Sequence, residues 1–232
     1  MPPSELRKEA REALSGKWGK GICIILAYLL ITFAIGFIEG LFENNSLLFL
    51  LIEIAVLVIT VPLSFGLTIS FMKLKRNENV TAFGFLNDGF TNFSKSWGIA
   101  WHTFVRMLLP VVAIFIIAIL MSILTVTSAK TPLFALAGVV LYIATLIYTV
   151  SRSLLYVVAY PIGYDNPELS SKDCVKKSEE LMKGNRGNYF LLELSFIGWA
   201  ILGTLTLCIG YLWLIPYMQV AMVCFYDRIL SK

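Results

Sequence analysis

A few ionisable residues stand inside long apolar stretches of this chain: Glu39, Glu53, His102, Arg106, Arg152 and Glu193. A charge at the centre of a bilayer costs about 2.5–3.5 kcal/mol on insertion scales, so a residue kept there has a partner or a task. Arg106, Arg152 and Glu193 fall in the same half of their stretches, at similar depth. They predict a polar pocket open to the cytoplasm, in which the two planar guanidiniums hold a lipid phosphate or carboxylate and Glu193 balances one of them. The competing reading is a structural ion pair, or two arginines snorkelling to headgroups. Glu53 lies deeper than Glu39 and Glu43 and suits either a cation site or a hydrogen bond to a neighbouring helix. Glu39 and Glu43 read as solvated interfacial residues. His102 is the only histidine; alone it builds no His-based metal site and reads as an interfacial or helix-packing residue.

Other chemistry is poorly represented. Cys23, Cys174, Cys208 and Cys224 are too far apart for a CxxC pair and mostly sit in apolar sequence, so they read as small hydrophobes. There is no Walker A, G-x-S-x-G, H-E-x-x-H or GxGxxG pattern. The expectation is a non-enzymatic protein with no metal and no cofactor. The net charge of +4 comes without a basic run interleaved with aromatics, so no nucleic-acid partner is expected.

The elements that must position these residues are membrane helices. Of 232 residues, 58% are hydrophobic and 15% charged; soluble domains run near 45–50% and about 25%. About 20 apolar residues span a bilayer as a helix. Such stretches occur at 20–41, 47–72, 98–126, 133–162, 188–207 and 209–227, the last two abutting at a tight turn around Cys208–Gly210. The predicted fold class is therefore an all-α membrane protein with six transmembrane helices in a single domain. The first residues mix Glu5, Glu9 and Glu12 with Arg7, Lys8 and Arg11, which does not read as a cleaved signal.

Lysine and arginine set the orientation. Arg106 and Arg152 are inside spans and Lys130 alone lies on one face; all the others fall in the N-terminal segment, the loops 73–97 and 163–187, and the C-terminus. The positive-inside rule places both termini in the cytoplasm. Before each odd-numbered span runs an amphipathic stretch: Leu6, Ala10, Ala13, Leu14 and Trp18; Phe83, Leu86, Phe90, Phe93 and Trp97; Cys174, Val175, Ser178, Leu181 and Met182. Each reads as a helix along the inner interface, with Leu6, Leu14, Phe90, Phe93 and Trp97 inserted in lipid. Ser4 and Ser170 are N-cap candidates, and Ser170-x-x-Asp173 has capping-box spacing. GKWGK (16–20), SKSWGI (94–99) and GNRGN (184–188) end the three stretches alike. Three hairpin units follow, about 1–76, 77–165 and 166–232, each led by an interfacial helix.

The C-terminal third contains DNPELS (165–170), SEELMKG (178–184) and LSFIGW (194–199), and the N-terminus reads SELRKEAREALSGKWGKGI. These segments resemble the domain-of-unknown-function 975 family of bacterial integral membrane proteins. The resemblance implies a multi-pass protein of the bacterial plasma (inner) membrane and no assigned activity. A more distant resemblance, to membrane domains attached to some glycerophosphodiester phosphodiesterases, implies proximity to lipid. The family pattern has Pro-Gly in the fourth span; Tyr148-Thr149 stands there in this chain, with Arg152 at the basic position that follows. The leading functional expectation is binding or translocation of a small anionic molecule or lipid. The alternative is an accessory, assembly or regulatory subunit acting through helix contacts with another membrane protein.

Overall fold

The computed structural model describes residues 2–42, 46–127 and 132–231; side chains at 109–110, 113–114, 117–118, 120–127 and 132–137 are not among those described. Glu43 and Lys130 lie outside the described residues. The described chain is all-helical and has no strand: α1 (Pro3–Leu14), α2 (Trp18–Leu41), α3 (Ser46–Lys75), α4 (Gly84–Thr91), α5 (Phe93–Thr127), α6 (Pro132–Ser153), α7 (Ala159–Asp165), α8 (Ser171–Met182), α9 (Arg186–Leu194), α10 (Ile197–Leu205) and α11 (Tyr211–Leu230).

Among the described residues three stretches are long and apolar enough to cross a membrane: Trp18–Leu41, Ser46–Lys75 and Arg186–Leu205. This is fewer than the six expected from hydropathy. The stretch 209–227 falls short because α11 carries Gln219, Asp227 and three tyrosines. Its inner half, from Val220 to Tyr226, is buried in protein and needs no lipid-compatible surface. The helices α5 and α6 are 35 and 22 residues long, with their outer side chains beyond description. The expected fourth stretch, 133–162, is broken after Ser153 by a run of i→i+3 hydrogen bonds, Leu155 to Arg152, Tyr156 to Ser153 and Ala159 to Tyr156. The break answers to Pro161. Restarting the helix at Ala159 puts the proline in the first turn, where its missing N–H would have had no partner anyway. The expected fifth stretch, 188–207, is likewise two helices, α9 and α10, parted at Ser195–Phe196.

Helix ends follow local chemistry. Ser170 caps α8, its Oγ accepting from the Asp173 N–H at 3.2 Å and donating to the Asp173 carboxylate at 2.6 Å. Ser4 does not cap α1; the cap position is Pro2, and Ser4 lies inside the helix. Both α1 and α8 end two residues before a glycine with positive φ, Gly16 at 73° and Gly184 at 81°, the left-handed conformation that closes a helix C-terminus.

The amphipathic stripes of α1 and α8 face protein. Leu6, Ala10 and Leu14 are fully buried, as are Cys174, Val175, Ser178 and Met182. Leu6 and Leu14 are therefore not inserted in lipid as the pattern suggested: α1 packs on α11, and its stripe is part of the core. The segment 81–97 is not one helix either. It is the short α4 followed by the start of α5, with Phe85 buried while Phe90 and Phe93 stay exposed. The packing order is circular: α4 lies on α3, α8 on α7 and α5, and α1 on α11. α4 covers the long helix just before it, α8 covers α5 and the short α7, and α1 covers the last helix.

One contact between α3 and α4 is backbone on backbone. A Cβ on Gly66 would meet the Phe85 carbonyl at 1.9 Å, and one on Gly89 the Pro62 carbonyl at 2.2 Å. Pro62 also lacks the N–H that would bond the carbonyl of Val58, four residues earlier. The indole of Trp97 donates to that carbonyl at 3.1 Å.

Ion pairs gather the basic segments at one end of the bundle. Lys73 pairs with Asp88 at 2.7 Å, Lys75 with Asp227 and Glu9, Arg76 with Asp165, and Arg228 with Glu5 and Glu9 at 3.0 Å each. The carboxylates around Arg76, Asp165 first, hold its guanidinium charge firmly.

Candidate functional site

Arg106 projects from α5 and Arg152 from the last turn of α6, where the helix dipole favours a cation. The two converge on one carboxylate, that of Glu179 on α8. Arg106 Nη1 is 3.2 Å from one Glu179 oxygen and Arg152 Nη2 is 3.7 Å from the other. Tyr156 completes the group. Its hydroxyl donates to Glu179 at 2.8 Å and accepts from Arg152 Nη2 at 3.0 Å, and the Arg152 guanidinium lies 5.9 Å from the ring centre, within cation–π range.

Four neighbouring contacts fix Glu179. The cap at Ser170 starts the helix. Next to Glu179, the buried Ser178 hydroxyl donates to the Leu155 carbonyl at 2.7 Å, tying α8 to the chain just before Tyr156. The loop before α8 is gathered by Lys95, whose ammonium donates to the carbonyls of Asn166 and Pro167 at 3.2 Å each and to that of Leu169. Gly98 brings α5 close to Ser171, since a Cβ there would meet the serine Oγ at 2.3 Å.

Two guanidiniums against one carboxylate leave a formal charge of +1. Side-chain exposures of 25% for Arg106, 30% for Arg152 and 22% for Glu179 keep the group reachable. Arg106 Nη1 is within ion-pair distance of Glu179 but not aligned as a hydrogen bond. It and Arg152 Nε are buried without an acceptor among the described residues. Tyr156 also lines a cleft of about 340 Å³ with Ile99, Thr103, Phe104 and Tyr160. The arrangement places donors and positive charge beside an apolar slot.

Glu193 is not part of this group. It lies on α9, half-buried, interacting with Tyr189 one turn away. Glu53 is exposed on α3, with no ion pair among the described residues, and Glu39 is half-buried near the end of α2. His102 is half-buried on α5. Sequence reasoning brings the arginines together but misses Glu179 and Tyr156. Glu179 sits in a segment read as an interfacial helix, and Tyr156 in a stretch read as unbroken span. A signal was available for the first: Glu179 borders the buried stripe, next to Ser178 and one turn after Val175. No three His, Cys, Asp or Glu side chains converge as a metal-ligand set among the described residues, and all four cysteines are free.

No curated protein and no solved structure matches the chain. A family model described as protein of unknown function (DUF975) matches residues 1–232, the whole chain, which therefore belongs to that family.

Proposed function

We propose that the chain is a multi-pass membrane protein that binds the anionic headgroup of a lipid at Arg106 and Arg152, without catalysing a reaction on it. The observation that carries this reading is the convergence of two arginines on one carboxylate. It leaves a single uncompensated positive charge on a partly exposed group whose Tyr156 also lines the cleft. A phosphodiester brings one negative charge and oxygens that a guanidinium fork accepts. Its acyl part fits against Phe104 and Tyr160. Glu179 acts as an internal anion that holds the pair ready and limits affinity. The circular packing of α4 on α3, α8 on α7 and α1 on α11 supports three copies of one helical unit, and the ion pairs at one end support a common side for both termini, which the lysine and arginine bias assigns to the cytoplasm.

Native mass spectrometry of the protein in mild detergent, with added phosphatidylglycerol or phosphatidylcholine, tests the site. Each lost hydrogen bond to a charged group is worth about 1.5–3 kcal/mol, so Arg106→Gln/Arg152→Gln should lose one bound phosphatidylglycerol, with affinity down by about tenfold or more. Glu179→Gln should bind it more tightly. Unchanged phosphatidylglycerol retention in both variants would overturn the proposal, because a purely structural triad loses stability on either change and gains no affinity from the second.

A further inference from the structure

A second cavity, of about 490 Å³, lies elsewhere, between α1 and the α10–α11 hairpin. That is inside the range of roughly 300–1,000 Å³ typical of ligand sites. One end holds Arg7 and Arg11; the body is walled by Trp18, Trp199, Trp213 and Leu202. Three of the chain's five tryptophans thus surround one space. Trp199 and Trp213 remain about half exposed, at 55% and 49%.

The charges on α1 are sorted by face. Glu5 and Glu9 turn to the protein, pairing with Arg228 and Lys75. Arg7 and Arg11 turn to the cavity. Arg7 donates from Nη1 to the Ser195 carbonyl at 3.2 Å, where α9 and α10 part, while its Nε is buried without an acceptor among the described residues. Arg11 is exposed and makes no ion pair among the described residues. By contrast, Arg76 and Arg228 at the same end of the bundle are each held by two carboxylates.

The depth of the cavity is also set. The Trp18 ring at the base of α2 lies 6.2 Å from the Tyr217 ring, and the Tyr217 hydroxyl donates to the Arg7 carbonyl at 3.1 Å. From Tyr217 to the turn at Gly210 the chain climbs only about 10 Å at 1.5 Å per residue. There the space is closed by the tight approach of Gly203 and Gly210, whose Cβ would meet the Gly203 Cα at 2.8 Å. With Trp18 at the membrane entry, where tryptophans concentrate, the cavity sits in the leaflet from which α1 approaches.

We infer that this cavity is a second lipid site, distinct from the arginine pair on α5 and α6, and that it takes an anionic lipid of that leaflet. The headgroup meets Arg7 and Arg11, and the first part of an acyl chain lies against Trp199, Leu202 and Trp213. The positive charge of Arg7 and of the exposed Arg11 supplies the preference for an anion; the aromatic wall supplies the apolar contact.

The test uses the tryptophans as reporters. The full chain in detergent micelles is titrated with phosphatidylglycerol or phosphatidylcholine carrying brominated acyl chains, which quench indole fluorescence on contact. The anionic lipid should quench at a concentration at least about tenfold lower, and Trp199→Phe/Trp213→Phe should remove most of the signal. Arg11→Gln should shrink the preference; because Arg11 is exposed and unpaired, this variant keeps the fold even if Arg7→Gln does not. Arg106→Gln/Arg152→Gln should leave the quenching unchanged, which separates this site from the other. Equal quenching by the two lipids, or quenching that survives Trp199→Phe/Trp213→Phe, would overturn the inference. So would full protection from quenching by glycerol phosphate, which would make this a headgroup site only.

Discussion

The first and last hairpins share a base and differ in almost everything beyond it. A Cβ on Gly21 of α2 would come within 3.2 Å of Pro216 of α11, so the two helices start side by side. From Trp18, α2 runs on to Leu41, about 35 Å along its axis; from Tyr217, α11 runs only to Tyr211, about 9 Å. The first hairpin shows plain apolar surface over that length, with Leu30, Phe33, Leu47, Leu50 and Leu57 all more than half exposed. The last is zipped from within by Tyr189 on Phe225 and Phe196 on Tyr217, with ring centres 5.1 and 5.0 Å apart, and shows tryptophan. Hydropathy rates both as spans because it counts apolar residues and ignores what covers them. The half of α11 from Val220 to Tyr226 spends its hydrophobicity on protein, while α9 and α10 keep Phe190, Leu191, Ile201 and Leu205 exposed.

If the first hairpin reaches across the bilayer because its base is rigid, breaking that base should have the largest effect. The Gly89 position has the Pro62 carbonyl 2.2 Å from where a Cβ would stand, and backbone on both sides leaves nothing to rotate away. Overpacking costs about 1–3 kcal/mol even where side chains adjust. Gly89→Ala should therefore exceed 3 kcal/mol, roughly, and yield little folded protein by size-exclusion chromatography. The matching change at the tip of the last hairpin, Gly203→Ala, meets only the Tyr211 ring at 3.3 Å and should shift the melting temperature slightly. Equal losses would remove the distinction between a locked base and a loose tip.

A smaller effect should come from the bond that replaces the one missing at Pro62. Trp97→Phe leaves the Val58 carbonyl without its indole donor, and an unsatisfied polar group costs about 1–3 kcal/mol. In Pro62→Ala/Trp97→Phe the backbone N–H returns and reclaims that carbonyl, so the double variant should be more stable than Trp97→Phe alone. Thermal melting of the four proteins of this cycle measures the coupling. Additive losses would mean that the indole bond does not stand in for the helical one.

How far the sequence could be read follows from these same residues. The helical class, the cap at Ser170 and the glycine ends at Gly16 and Gly184 are local features, written within a few residues of where they act. The stripe Leu6, Ala10, Leu14 correctly announces a covered face, but periodicity says only that a face is covered. Lipid and the flank of α11 look alike from inside α1. The same limit hid Glu179, which meets Arg106 across more than seventy residues of chain; Glu193, in an apolar stretch at matching depth, was the nearer guess. Depth along a helix is local information, whereas the pairing of α8 with α5 and α6 is not.

The finest test of the comparison is where the two hairpins end. The tip residues Phe42 and Cys208 are both exposed. Thiol labelling needs water and thiolate, so it reports which tip leaves the membrane. Cys174 is a poor target: burial raises its thiol pKa. Cys224 is also buried, and Cys23→Ser removes the other exposed thiol. In sealed vesicles of that variant, a membrane-impermeant maleimide should label an added Phe42→Cys from the face opposite the termini. Cys208 should label at least about tenfold more slowly from either face, a partition of about 1.4 kcal/mol in favour of the lipid-covered tip. Solubilised in denaturing detergent, both should label at the same rate, which excludes an intrinsic difference in reactivity. If Cys208 labels from the far face as fast as Phe42→Cys, the last hairpin crosses the membrane after all. The cavity at Trp199 and Trp213 would then lie deeper than the headgroups that Arg7 and Arg11 are placed to meet.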